Sequence, residues 1–336
     1  MTDLLNEMLP AIEAELQKQV ARLDVPRTRV YHDMLTYHMG WTGDGAGPDA
    51  TGKRIRPLML LLTAAACGKP DWQTALPAAA AVELVHNFSL VHDDIQDKSE
   101  KRRGRTTVWI KWGMPQAINA GDGLFVVANL AMTDLASSYP AETVVDAMRI
   151  LQNTCLDLTR GQFLDISYEK RADLGVEDYW PMIGGKTAAL LSGCNELGAL
   201  LGGADQSTRE AYRAYGQYLG LAFQVQDDIL GIWGDESVTG KSAASDLLEG
   251  KNTLPVLAGL GKKGRFAARW AQGPIQPSEV ADLAGLLASE GAYAYTHDTA
   301  RQMTDMATNS LREADPQGEA GQLLMDLTDR LLKRDS

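Results

Sequence analysis

Residues 76–97, LPAAAAVELVHNFSLVHDDIQD, are small or apolar over most of their length and end with three aspartates in five positions. Read as a helix, the stretch is apolar nearly all round and has no broad solvated face. A helix of that kind needs neighbours on every side, which points to the centre of a large helical assembly. The rest of the chain agrees. Leu4, Leu5, Met8, Ile12 and Leu16 recur at intervals of three and four, the period of an amphipathic helix. Further helical segments are expected near 55–66, 117–137, 142–164, 177–182, 186–201, 208–230, 252–260, 278–290, 292–313 and 319–333. Gly- and Pro-containing breaks separate them at 113–115, 202–205, 234–250 and 261–277, and a glycine-rich loop fills 38–52. Strand-like alternation is scarce, so the expected class is all-α, a large helical bundle. No Ser/Gly linker or composition shift divides the 336 residues, and one domain over 1–336 is expected.

The acidic end of this helix raises a question of charge. On a helix, Val82, His86, Ser89, Asp93 and Asp97 share one face, so two carboxylates sit one turn apart with Asp94 beside them. A second apolar segment, YLGLAFQVQDDIL, ends in Asp227 and Asp228. Crowded carboxylates repel, and the helix macrodipole disfavours them at a C-terminus. Something cationic must offset both costs. Mg²⁺ suits such a site: it takes hard oxygen ligands and usually keeps waters and phosphate oxygens beside one or two carboxylates. A solvated acidic helix end is the plain alternative for either cluster alone. The apolar flanks and the repetition of the pattern argue for one shared metal site.

Basic residues gather near both clusters. Arg102 and Arg103 follow the first, on a turn ending at Gly104. Lys53 and Arg56 in GKRIRP are expected one turn apart at the start of a helix, whose N-terminus adds backbone donors. Lys186 and Thr187 stand in GGKTAALL, and Lys241 and Lys251 follow the second acidic pair. Arginine binds phosphate through bidentate hydrogen bonds. TGKS at 239–242 is no phosphate-binding P-loop, because the required glycine six residues before the lysine is Asp235.

The formal net charge of −12 argues against non-specific nucleic-acid binding, which depends on basic residues neutralising phosphates. Three widely spaced cysteines, Cys67, Cys155 and Cys194, fit no disulfide or metal pattern. They read as free thiols of a cytoplasmic protein. The first residues lack the pattern of a signal peptide. No apolar run reads as long enough to cross a bilayer, so no transmembrane segment is expected.

Taken together, GKRIRP, HNFSLVHDDIQDKSEKRRG, GGKTAALL, FQVQDDILGIWGD, GKSAASDL and GKNTLP resemble, in order, the motifs of the trans-isoprenyl diphosphate synthases, or polyprenyl synthetases. The resemblance covers about 200 residues. It implies a helical bundle of the isoprenoid synthase type around a deep central cavity, with both aspartate motifs facing each other across its mouth. It implies a homodimer that joins isopentenyl diphosphate head to tail to an allylic diphosphate, with several Mg²⁺ ions as cofactor. By position, Asp93, Asp97 and Asp227 would be the Mg²⁺ ligands, and Asp94 and Asp228 would support or share that role. Arg102, Lys186, Lys241 and Lys251 would bind the allylic diphosphate. Lys53, Arg56, His86 and Arg103 would bind isopentenyl diphosphate. Thr187 and Gln224 would face the developing allylic cation.

In one respect the chain departs from the family. Many members carry a third aspartate where this chain has Gly231. Phe88 lies five residues before Asp93, about 7.5 Å down the helix. By resemblance it would floor the cavity and limit the product to C15–C20, with C20 favoured. Two other readings compete. A class I terpene cyclase would add an Asn-x-x-x-Ser/Thr-x-x-x-Glu site, which Asn129, Thr133 and Ser137 fail to complete. A non-catalytic regulatory subunit tends to lose an aspartate motif or the basic clamp, and this chain keeps them.

Overall fold

The computed structural model describes residues 3–68, 71–169, 171–234 and 245–332. The class is all-α. Among the described residues the only strands are Lys101–Arg102 and Arg105–Thr106. They form a two-stranded antiparallel hairpin with Lys101 opposite Thr106 and Arg102 opposite Arg105. The chain divides into two compact units. One comprises Met1–Gln152, Cys194–Arg209 and Pro316–Leu324; the other comprises Asn153–Gly193, Glu210–Asp315 and Met325–Ser336.

The first unit is built around the helix Leu76–Gln96. Ala78, Ala79, Ala80 and Ala81 are all fully buried, and their small side chains let neighbouring backbones come close. The helix Met114–Thr133 packs along it, joined by Ile55–Ala66 and Asp3–Val20. Gly121 belongs to this contact, and Gly123 to the neighbouring one with Arg29–His38. A β-carbon at Gly121 would run into the His92 ring, and one at Gly123 into the Tyr31 hydroxyl. A charged pair is buried here: Arg54 meets Glu83 at 2.9 Å, and Arg54 also pairs with Glu13 at 3.0 Å. Asn87 completes the set by donating to Glu83 at 3.1 Å. Partners are obligatory for such a buried guanidinium, since losing one would strand a charge away from water.

In the second unit, Val176–Ile183 leads into a π-turn, Gly184–Ala188, and on into the first turn of Ala189–Leu201, whose residues from Cys194 belong to the first unit. Tyr179, Met182, Ile183 and Ala188 pack with Leu221, Val225 and Ile229 of the long helix Gln206–Trp233, and with Leu254 and Leu257 of Leu254–Gly261. Glycines again set the spacing. Gly161 and Gly185 have no side chain between them, and a β-carbon at Gly161 would lie 2.7 Å from the Gly185 Cα.

Several expectations need correction. The helix after GKR begins at Ile55, and Arg54 before it is left-handed (φ 49°). Lys53 therefore precedes the helix and is exposed; it does not sit one turn below Arg56. Helix Arg29–His38 falls in a stretch to which the sequence reading gives no element, and Ser245–Glu249 and Arg265–Trp270 fall within the expected breaks at 234–250 and 261–277. A transmembrane-length segment also exists by composition: Trp72–Gln96, 25 residues, is long and apolar enough to cross a membrane. Its apolar surface is instead mostly buried against Met114–Thr133, Ile55–Ala66 and Asp3–Val20. Cys67, Cys155 and Cys194 form no disulfide among the described residues.

Candidate active site

Asp93 and Asp94 occupy the last turn of Leu76–Gln96, and Asp97 caps it, its N–H donating to the Asp93 carbonyl at 2.8 Å. Asp97 is exposed, Asp93 half-buried and Asp94 buried. The cation that offsets this crowding comes from the hairpin. Arg102 Nε donates to Asp94 Oδ1 at 2.8 Å, and its second nitrogen reaches Asp93 Oδ2 at 3.4 Å. Burial nevertheless pushes the Asp94 carboxyl up to about 6, against the pull of Arg102 and with help from Asp93 and Asp97.

The hairpin turn also places Arg103, in a left-handed conformation (φ 51°). Its guanidinium donates to the Ala50 carbonyl at 2.8 Å. Gly52 is required there twice. Its φ is +80°, and a β-carbon would lie 2.6 Å from an Arg103 nitrogen. Arg105 staples the glycine-rich loop, donating to the carbonyls of Tyr37, Thr42 and Asp44 at 2.5, 2.6 and 2.9 Å while lying over the Tyr37 ring. Between loop and hairpin is a pocket lined by Tyr37, His38, Ala50, Asp94, Arg102 and Arg103, among others.

His86 is held well below the usual imidazole range, first by burial and then by Arg56, Arg103 and Arg102. Burial also lowers Arg56, whose Nε is buried with no hydrogen-bond partner among the described residues. Phe88 stacks at 5.1 Å against Phe125 of the neighbouring helix and edge-on against His92 at 5.0 Å.

In the second unit the π-turn carries Lys186 and Thr187. Lys186 Nζ donates to Asp165 Oδ2 at 2.5 Å. A π-turn widens the helix by one residue, a device often found at functional sites. Thr187 Oγ1 donates to Gln224 Oε1 at 2.8 Å, and Gln224 Nε2 to Asp228 Oδ1 at 3.0 Å. The other Asp228 oxygen accepts from Tyr179 Oη at 2.7 Å and from the Leu254 N–H at 2.9 Å. Asp228 is buried, which raises its carboxyl to about 6 against these three donors. Both its oxygens are engaged in orienting neighbours.

Asp227, beside it, is half-buried. Lys251 pairs with Glu249 at 2.6 Å and Asp246 at 3.5 Å. At Gly231, a β-carbon would overlap the carboxylate of Asp246, lying 2.6 Å from its Cγ. The space a third motif aspartate would enter is already held by a carboxylate from another helix. Lys241 lies outside the described residues.

Among the described residues, no three His, Cys, Asp or Glu side chains converge as a closed metal cage. Each unit's acidic residues are nevertheless hard-oxygen donors of the kind a divalent cation takes. Asp93 and Asp97 in the first unit, and Asp227 in the second, reach solvent, and an ion that keeps waters and substrate oxygens needs few protein ligands.

Four participants had no sequence signal: His38, Tyr179, Asp165 and Phe125. None lies within a recognisable motif pattern, and each is brought in by packing. Asp246 lies within GKSAASDL, but its place against Gly231 has no sequence signal.

Three comparisons set this geometry among known proteins. The family described as Polyprenyl synthetase matches residues 47–283. A (2E,6E)-farnesyl diphosphate synthase of Mycobacterium tuberculosis (strain ATCC 25618 / H37Rv) is 44% identical over 264 residues, 77% of this chain and 71% of that protein. A geranylgeranyl diphosphate synthase of the same strain is 46% identical over 240 residues, covering 71% and 67%. The crystal structure of a polyprenyl synthetase from Streptomyces coelicolor A3(2) superposes with a TM-score of 0.85 at 37% identity, covering 97% of this chain and 98% of that one.

Proposed function

The chain is a prenyltransferase of the polyprenyl synthetase family, and from that premise we propose that it condenses isopentenyl diphosphate head to tail with an allylic diphosphate to give an all-trans C15–C20 product, C20 favoured. The observation that carries this reading is the arginine pocket at the acid-tipped end of Leu76–Gln96. There Arg102 and Arg103 gather in an otherwise acidic chain, beside carboxylates that a divalent cation would relieve.

The proposed division of labour follows the donors present. Arg102, Lys186, Lys241 and Lys251 bind the allylic diphosphate. Lys53, Arg56, His86 and Arg103 hold isopentenyl diphosphate, and Arg56 brings an unused buried N–H to the task. Asp93, Asp97 and Asp227 would hold Mg²⁺, which supplies positive charge to the leaving pyrophosphate. Asp94 and Asp228 act as positioning residues, Asp94 through Arg102 and Asp228 through Gln224.

Arginine and lysine cations stabilise negative charge as the allylic C–O bond breaks. The Thr187–Gln224 pair faces the allylic cation that remains. The isopentenyl double bond attacks that cation, forming the new C–C bond. A proton then leaves to the released pyrophosphate and restores a double bond. Phe88, backed by Phe125, sets the cavity floor. The active form is proposed to be a homodimer acting in the cytoplasm.

The test is incubation of the purified chain with Mg²⁺, isopentenyl diphosphate and each of the C5, C10 and C15 allylic diphosphates, followed by product sizing. Chains of C15 to C20 are expected. Release of a cyclic hydrocarbon, or activity only with a second protein added, would overturn the reading.

A further inference from the structure

His38 lines the arginine pocket, and the division of labour above gives it no task. Its Nε2 is buried and has no hydrogen-bond partner among the described residues. The backbone of Asn87 lies toward the ring and favours a proton on it. A neutral ring that carries its one proton on Nδ1 leaves the unpartnered Nε2 as a bare lone pair.

Three elements contribute the charged and titratable groups around it. Arg102 and Arg103 come from the hairpin, Arg54 from the start of Ile55–Ala66, and His86 and Asp94 from Leu76–Gln96. Arg105 and Tyr37 complete the polar wall. Burial, then Arg102 and Arg103, hold His38 neutral, down to about 3. A neutral acceptor among guanidiniums is comfortable while the pocket holds no anion. It is badly placed once a diphosphate enters, because a lone pair then meets anionic oxygens.

We propose that His38 is a proton-linked ligand of the diphosphate: as the anion enters, His38 takes up one proton at Nε2 and donates it to a phosphate oxygen. The inference rests on the reading of this pocket as a diphosphate site. The proton comes from solvent and returns to it when the anion leaves, so nothing is consumed. The energetics are adequate. One unit charge at about 3 Å and an effective dielectric constant of about 20 shifts a pKa by about four units, and a diphosphate carries more than one.

The experiment is calorimetry of inorganic pyrophosphate binding in metal-free buffers of different ionisation enthalpy, on the wild-type chain, His38→Gln and, as control, His297→Gln at a histidine of the second unit. The ligand's own protonation is common to all three and cancels in the differences. Uptake by the wild type should exceed that of His38→Gln by close to one proton at pH 7, and His297→Gln should retain it. Nitrogen NMR of the wild-type chain labelled in histidine gives the same answer with no variant: one imidazole nitrogen should change from bare to protonated on addition of pyrophosphate. Equal uptake in wild type and His38→Gln, or no histidine change on binding, overturns the inference and leaves the diphosphate pocket standing. Failure of pyrophosphate to bind the wild type at all removes the pocket reading, and the inference falls with it.

Discussion

Tyr179 donates its hydroxyl hydrogen bond to Asp228 Oδ2 at 2.7 Å, with both side chains buried. This bond, with those from Gln224 and Leu254, defines what the second acidic motif does with its second carboxylate. Asp228 holds the amide that receives Thr187. Its carboxyl is raised to about 6 in the fold, chiefly by burial. A raised carboxyl contributes stability that is fully present below its unfolded pKa, near 3.9, and is lost as pH rises through about 6. Asp228→Asn does not titrate, so comparing the two proteins isolates this term. Wild type minus Asp228→Asn melting temperature should be more favourable to wild type at pH 4.5 than at pH 7.5. The full effect is at most about 3 kcal/mol. A difference independent of pH would show that Asp228 stays ionised throughout.

Much of this was legible in the sequence, and the reasons are physical. The carboxylates at 93, 94 and 97 stand out because crowded like charges at the end of an apolar helix are costly and rare. The 3.6-residue period located most long helices. The π-turn was not legible, because GGKTA differs from an ordinary helical turn only through the backbone contact of Gly185 with Gly161. Nor was the ownership of Arg102. Eight residues separate it from Asp94, and only the hairpin geometry folds it back. Lys53 was misplaced because a left-handed Arg54 has no signature of its own; its conformation follows from burial and its pairing with Glu13 and Glu83.

Gly231 and Asp246 compete for one space. Replacing Gly231 with Asp sets a second side chain against the buried Asp246 carboxylate. The expected cost combines overpacking and like-charge repulsion, about 2–3 kcal/mol in urea denaturation. Asp246→Ala in the same chain opens the space, so the double variant should recover most of that loss. A coupling of at least about 1 kcal/mol in the double-mutant cycle is the expected signature; additive effects would remove the competition.

Phe88 and Phe125 pack across two helices with ring centroids 5.1 Å apart, which makes them a single barrier. Phe88→Ala should lengthen the product beyond that of the wild type, and Phe125→Ala should shift it in the same direction. The double variant should lengthen it little further than the stronger single one. Product sizing by mass spectrometry decides the matter. Unchanged products from both single variants would take the floor away from this pair.

The Arg102–Asp94 bond at 2.8 Å joins a diphosphate-binding candidate to a buried carboxyl raised to about 6. The bond is charge-assisted only while Asp94 is ionised. Above pH 7 it should show its full coupling, about 1.5–3 kcal/mol for a hydrogen bond to a charged group, in a cycle of Arg102→Gln and Asp94→Asn. As pH falls through about 6 the carboxyl takes a proton and the coupling should shrink, giving at pH 5 less than half its value at pH 8. The sign follows from the causes of the shift. Burial raises Asp94 while Arg102 opposes it, so removing Arg102 raises Asp94 further and moves its titration toward neutrality. Carbon NMR of aspartate carboxyls should therefore show the Asp94 midpoint above 6 in Arg102→Gln. A midpoint unchanged by that substitution, together with a coupling that is flat from pH 5 to pH 8, would mean the pair carries no charge-dependent energy and that Arg102 is positioned by the hairpin alone.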